Sequence, residues 1–257
     1  MNKLFGMAVM AATLALAASS AVADERISQK RGIDARVAKV QLGGVINLHI
    51  TQGAVPSLVL IGDKEDIAKV VVTQNGDTLS IDSDSNQHWH IGISKKYDVR
   101  AELTVPNLNE LVSHGVGSTD VKGFTGNALK LSLDGAGSVN VDSTYKNLSA
   151  RLGGVGSMTL TSGHADQVDL KLRGAGHIEI KGTSKMLRAD LGGVGGLDAE
   201  KLVSDAVELD MSGLGSASVY AKNSAKVKLS GMGSATVYGK PVTRTADTAG
   251  LGSISWE

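Results

Sequence analysis

Leu129-Lys130-Leu131-Ser132-Leu133-Asp134-Gly135-Ala136-Gly137-Ser138-Val139-Asn140-Val141 carries the pattern from which the architecture follows. Leucines alternate with polar residues before the glycine pair, and valines alternate after it. Period two means extended strand, with one row of side chains facing a core and the other facing water. The pattern returns with Val168, Leu170, Leu172, Ile178 and Ile180, and again with Val207, Leu209, Met211, Ala217 and Val219. The Gly-x-Gly centre recurs as Gly115-Val116-Gly117, Gly135-Ala136-Gly137, Gly154-Val155-Gly156 and Gly174-Ala175-Gly176, then as Gly193-Val194-Gly195, Gly213-Leu214-Gly215, Gly231-Met232-Gly233 and Gly250-Leu251-Gly252. The first glycines lie 20, 19, 20, 19, 20, 18 and 19 residues apart. A strand-forming repeat of that length predicts a β-helix, an all-β solenoid whose coils stack at about 4.8 Å and bury a row that one coil alone cannot bury.

The repeat carries further expectations. Each coil should hold two short strands joined at Gly-x-Gly, with polar stretches such as 142–147 and 162–167 as turns. The count suggests about eight to ten coils. The middle residue is always apolar, which reads as a side chain pointing inward at a corner. The flanking glycines then supply φ > 0 or let neighbouring backbones approach closely. Ser118, Ser138, Ser157, Ser216, Ser234 and Ser253 recur after the pair and read as a hydroxyl ladder bonded along the axis. Asp134, Asp169, Glu179, Asp190, Asp198, Glu208 and Asp210 mix with Lys130, Lys171, Arg173, Arg188 and Lys228 on the outer row. In the last coil Arg244, Ala246 and Thr248 replace the apolar row. That predicts a polar cap over 240–257, closed by Ile254 and Trp256.

Composition narrows the function. Of 257 residues, 26 are Lys or Arg and 26 are Asp or Glu, so the formal charge is zero. A neutral chain without a basic block does not bind nucleic acid through phosphates. Gly numbers 32 and Pro 3, without a Gly-X-Y period, which excludes collagen. There is no cysteine, so disulfides, Cys-ligated metals, a Cys nucleophile and a lipidated-Cys anchor are all excluded.

At the N-terminus Lys3 precedes an uncharged Ala/Leu/Met-rich run from Leu4 to Ala18, and Ala21-Val22-Ala23 fits a small-x-small cleavage site. Residues 1–23 read as a cleavable signal peptide, leaving 24–257 as one exported domain in the periplasm or at the cell surface. The run is short of the roughly 20 residues that span a bilayer, so the mature protein should carry no transmembrane segment. From 37 to 110 the pattern changes. Val40, Leu42, Val45, Ile46, Leu48 and Ile50 bracket Gly43-Gly44, and 57–61, 69–73, 78–81 and 97–105 read as strands. Gly76-Asp77 is a turn, and Lys64-Glu65-Asp66-Ile67 a helical turn.

These segments give the chain a family likeness. Val45-Ile46-Asn47-Leu48-His49-Ile50-Thr51-Gln52-Gly53, Gly62-Asp63, Asn75-Gly76-Asp77-Thr78-Leu79-Ser80-Ile81 and Leu103-Thr104-Val105-Pro106-Asn107-Leu108 lead in order into the first Gly-x-Gly-Ser. In that order they resemble the bacterial family of the "putative auto-transporter adhesin, head GIN domain", over about residues 37–239. The resemblance implies a right-handed, pectin-lyase-like β-helix without catalytic residues, and an adhesive role.

Candidate chemistry is sparse. None of the eight glycine pairs completes the Gly-x-Gly-x-x-Gly of a dinucleotide site, and each is followed by a strand rather than a helix. Calcium β-rolls need Asp where Met158 and Leu197 stand, and a period of nine. His88-Trp89-His90 is the most unusual local feature. On a strand the two imidazoles would share a face and, with Asp82 or Asp84, could hold a metal; on a loop Trp89 would be a contact residue. The sequence therefore predicts a non-enzymatic recognition or scaffolding protein of the cell envelope, without cofactor or metal. Its partner would be another protein or a polysaccharide. The alternatives are a carbohydrate-active β-helix enzyme and a metal-responsive envelope protein acting through His88 and His90.

Overall fold

Alternating apolar residues fix the inward row of every coil, and strand pairing between coils does the rest. The computed structural model describes residues 26–83 and 98–257, so residues 1–23 and His88-Trp89-His90 lie outside the described residues. The elements are β1 (Arg26–Arg31), β2 (Lys39–Leu42), β3 (Asn47–Gln52), β4 (Ser57–Asp63), α1 (Lys64–Ala68), β5 (Val70–Asn75), β6 (Thr78–Ser83), β7 (Arg100–Val105) and β8 (Glu110–Ser113). They continue with β9 (Val116–Leu133), β10 (Ala136–Leu152), β11 (Val155–Leu172), β12 (Ala175–Leu191), β13 (Val194–Met211), β14 (Leu214–Leu229), β15 (Met232–Tyr238), β16 (Thr243–Thr248) and β17 (Ser253–Trp256). Together they form a parallel β-solenoid of about seven turns. That is fewer than the eight to ten coils expected, because eight glycine corners bound only seven intervals.

From β9 to β14 each strand is a whole coil paired in parallel with the next. In β10, for example, Val139 faces Met158 of β11, Leu148 faces Val168 and Leu152 faces Leu172. The stretches expected as turns belong to the long strands, and the bend is marked by an interruption and register shift in the β10–β11 ladder between Ser143 and Asn147. The strands are interrupted at the glycine corner, where backbone hydrogen bonds still join one coil to the next.

The inward row is dry. Val139, Val141, Leu148, Ala150 and Leu152 are each no more than 4% exposed. Full burial of a large aliphatic side chain contributes about 1.5–3 kcal/mol, and stacking repeats that gain coil after coil. Tyr145 lies in the same interior and its hydroxyl donates to the Leu108 carbonyl at 2.6 Å. Burial pushes its phenol up to about 12.

The N-terminal coils do not stack in sequence order. β2 pairs in parallel with both β6 and β8, and β3 with both β7 and β9. The coil made by β2 and β3 is therefore sandwiched between a later coil, β6 and β7, and the start of the regular repeat. Antiparallel pairs β1–β4, β4–β7 and β5–β6, with α1, flank that first turn. At the other end β16 pairs with β14 and β17 with β15, and the Arg244 guanidinium lies over the Trp256 ring at 5.3 Å.

Candidate functional site

The glycine corner is where expectation and structure part. Val116, Val155, Val194, Leu214 and Met232 are 45–61% exposed, Leu251 is 81% exposed, and Ala136 and Ala175 are exposed too. The middle residue of Gly-x-Gly points outward, not into the core. Alternation explains why. Counting from Leu133 to Val139, the inward parity falls on Gly135 and Gly137, and Ala136 takes the outward parity.

The inward positions must be glycine because the backbone of the preceding coil fills their side-chain space. A Cβ on Gly213 would lie 2.0 Å from the Gly193 carbonyl oxygen, and one on Gly215 only 1.6 Å from that of Gly195. Gly215 also holds φ at 148°. The close approach lets Leu214 N–H donate to the Gly193 carbonyl at 3.0 Å, so the corner backbone is bonded while its side chain is expelled.

Stacking turns these expelled side chains into one line. Val45 pairs with Val116, and the register continues through Ala136, Val155, Ala175, Val194, Leu214 and Met232. With Leu251 in the following corner, nine apolar side chains form a ridge down the solenoid. At about 4.8 Å per coil it is about 38 Å long. The glycines on either side carry nothing that would mask it. Alongside the last four members lies a shallow hollow of about 580 Å³, with Arg173, Ser212 and Ser230 on its far wall.

The shoulders of the ridge are largely uncharged. Two residues on stand Asn47, Ser118, Ser138, Ser157, His177, Gly196, Ser216, Ser234 and Ser253. The serines stack in register, but among the described residues their hydroxyls are not bonded to one another. Identical rotamers about 4.8 Å apart are beyond the roughly 2.5–3.0 Å of an O–H···O bond. Ser118 instead donates to Asn47 Oδ1 at 2.9 Å. On the other shoulder the charged residues are Asp134, 3.8 Å from Arg151, and Arg173, which is bonded to Asp190.

Charge gathers farther out. On one face Asp169, Arg188, Glu208 and Lys226 form a column of alternating sign, with Arg188 Nε donating to Glu208 at 3.0 Å. A neighbouring column reads Lys171, Asp190, Asp210 and Lys228. Together they line an open hollow of about 400 Å³. A glycosidase needs a carboxyl held protonated by burial beside a free one. Here both aspartates stand on an open face and Asp190 is engaged by Arg173.

The opposite face carries two features that sequence reading missed. His49 Nδ1 lies 3.2 Å from Asp120, and Tyr220 and Tyr238 stack in register on adjacent coils. The Tyr238 phenol is raised by Glu257 first, then by burial, Glu200 and Asp198. Register counting from the glycine corner would have found the tyrosine pair, whereas His49 and Asp120 meet only through the β3–β9 pairing. Among the described residues no three His, Asp or Glu side chains come together as a metal site. His114 and His177 are exposed on the two shoulders of the ridge.

A family model described as "Putative auto-transporter adhesin, head GIN domain" matches residues 37–181 and again 163–241. The chain belongs to this family. The two overlapping matches reflect its repeat, since one coil can register on another. Solved bacterial structures share its fold. A putative adhesin from Bacteroides fragilis is 22% identical, with a TM-score of 0.65 over 91% of this chain and 98% of its own. A putative lipid binding protein from Parabacteroides distasonis is 20% identical, with a TM-score of 0.77 over 90% and 96%. A putative adhesin from the same organism is 19% identical, with a TM-score of 0.76 over 91% and 97%. No curated protein matches the sequence. Among the described residues no helix is long and apolar enough to cross a membrane.

Proposed function

We propose that this head GIN protein is exported and acts without catalysis, as an adhesin-like recognition module that grips an envelope or cell-surface partner along its length. The observation that carries this reading is the ridge. The largest contiguous apolar patch on a soluble protein is often its contact surface. Here it is built nine times over from a side chain that the corner geometry forces outward. Family membership supports an adhesive role, and the description of one structural relative as lipid binding agrees with an apolar contact. The Lys3, Leu4–Ala18 and Ala21-Val22-Ala23 pattern supports export.

The test uses the full chain expressed with its leader. Intact mass of protein from the envelope should begin at Asp24; a mass retaining Met1 to Ala23 would refute export. Purified protein should bind isolated envelope membranes, and a Val155→Ser, Val194→Ser, Leu214→Ser variant should lose that binding while keeping its fold. Binding unchanged by the variant, or release of reducing ends from envelope polysaccharide, would sink the proposal.

A further inference from the structure

The ridge differs from an ordinary protein interface in shape and in size. It runs about 38 Å along the axis, and at about 3.3 Å per residue the glycine-flanked strip is only about 7 Å wide. Its footprint is roughly 270 Å², about a third of the ~800 Å² per partner that a stable protein complex buries. A second copy packed ridge to ridge would therefore hold weakly. The strip is a single line of side chains on a corner, with a shallow hollow beside its last four members, so a rigid flat partner touches it only along that line.

Polarity is layered across it. Val, Leu, Met and Ala occupy the crest, with glycine backbone on both flanks. On one side Ser138, Ser157, Ser216 and Ser234 stand one step back; on the other Asp134 and Arg173 do, each engaged in an ion pair, and the remaining ion-paired carboxylates and bases lie farther out. This order of apolar crest, polar shoulders and charge that is paired where it comes near matches the order of a membrane interface from acyl chains to headgroups to water. A fluid bilayer closes around a one-residue-wide line of side chains and fills the hollow beside it, which a rigid flat partner does not.

We infer that the ridge docks on a phospholipid bilayer, with the solenoid axis lying in the membrane plane and the crest entering the boundary between headgroups and acyl chains. This rests on the reading of the ridge as the contact surface and names what it contacts. The chain carries no net charge and the cations bordering the ridge are paired, so attraction is apolar and indifferent to headgroup charge.

Flotation with vesicles of phosphatidylcholine, and of phosphatidylcholine mixed with phosphatidylserine, tests it. The full protein should partition to both within about threefold. The Val155→Ser, Val194→Ser, Leu214→Ser variant should partition about a hundredfold more weakly, since it deletes exposed methyl and methylene groups and leaves the inward row intact. Leu214→Trp provides a gain-of-signal control, because its emission should shift to the blue on vesicles. Failure of the wild type to float, binding that requires phosphatidylserine, an unshifted Leu214→Trp spectrum, or a variant that floats like the wild type would each overturn the inference. So would a solution dimer abolished by the triple variant without vesicle binding, which would make the ridge a contact between copies. If the variant loses envelope binding although neither protein floats, the contact surface stands and only the bilayer falls. If envelope binding survives in the variant, both readings fall.

Discussion

Gly215→Ala places a methyl group where the coil below already has backbone. The new Cβ would lie 1.6 Å from the Gly195 carbonyl oxygen and 2.7 Å from its carbon, against the 3.0 Å or more that real Cβ contacts keep. Neither atom can rotate away, so the two coils must separate by more than 1 Å at a corner bonded by the Leu214 N–H. An L residue at φ 148° adds strain of about 1–3 kcal/mol. Losing one or two partly buried backbone hydrogen bonds adds about 1–3 kcal/mol each. The total is about 2–9 kcal/mol, a large share of the roughly 5–15 kcal/mol that holds a domain together. Gly123→Ala separates the two contributions: φ there is 81°, yet nothing lies within 4 Å of the added Cβ, so it should cost only the strain. Urea unfolding by circular dichroism reads both. A Gly215→Ala protein within about 1 kcal/mol of wild type, or no less stable than Gly123→Ala, would refute the close-packed corner.

Two further perturbations probe the interior. Leu209→Asp buries a carboxylate where the wild-type side chain is 2% exposed and should cost several kcal/mol. Leu214→Asp, five residues on and 45% exposed, should lower the unfolding free energy read in urea by less than about 1 kcal/mol. Equal effects would put the corner side chain back in the core. Tyr145→Phe leaves the Leu108 carbonyl without its donor and should cost about 1–3 kcal/mol at neutral pH. The folded phenol titrates at about 12 and the unfolded one near 10.0, so the unfolded chain loses its proton first. The wild type should therefore shed extra stability as pH rises from about 10 to about 12, and the Phe variant should not; parallel unfolding curves across that range would exclude a tightly buried phenol.

Much of the fold was legible because stacking makes one coil's rules every coil's rules. Leu129, Leu131, Leu133, Val139 and Val141 alternate in the sequence and are all buried. The helical turn near Lys64 and the strands around it also form, within a residue or two at most ends. The order of the first coils was hidden, since no local residue states that β2 and β3 slot between β6–β7 and β8–β9. That arrangement depends on pairing between segments some 40 to 70 residues apart. The corner was misread for a different reason. Apolar identity argued that Val155 and Leu214 point inward, while parity from Leu152 to Met158 and from Met211 to Ala217 places them outward. Parity governs because the inward sites have no room for a Cβ. The serine ladder failed on distance: stacking aligns hydroxyls without bringing them within bonding reach. The buried hydroxyl pair that does form, Ser184 to Ser204 at 2.8 Å, lies at another bend of the coil.

The absence of native cysteine allows the outward ridge to be read directly. Single Val155→Cys, Leu214→Cys, Leu170→Cys and Leu209→Cys proteins can be exposed to a maleimide in the folded state and the labelled fraction followed by mass. The account predicts that the thiols at 155 and 214, on sites 61% and 45% exposed, react at rates close to those of an unfolded peptide. The thiols at 170 and 209, on sites 1% and 2% exposed, should stay unmodified until denaturant is added. Rapid labelling at 170 and 209 with protection at 155 and 214 would invert the coil, remove the apolar ridge from the surface and contradict the function drawn from it.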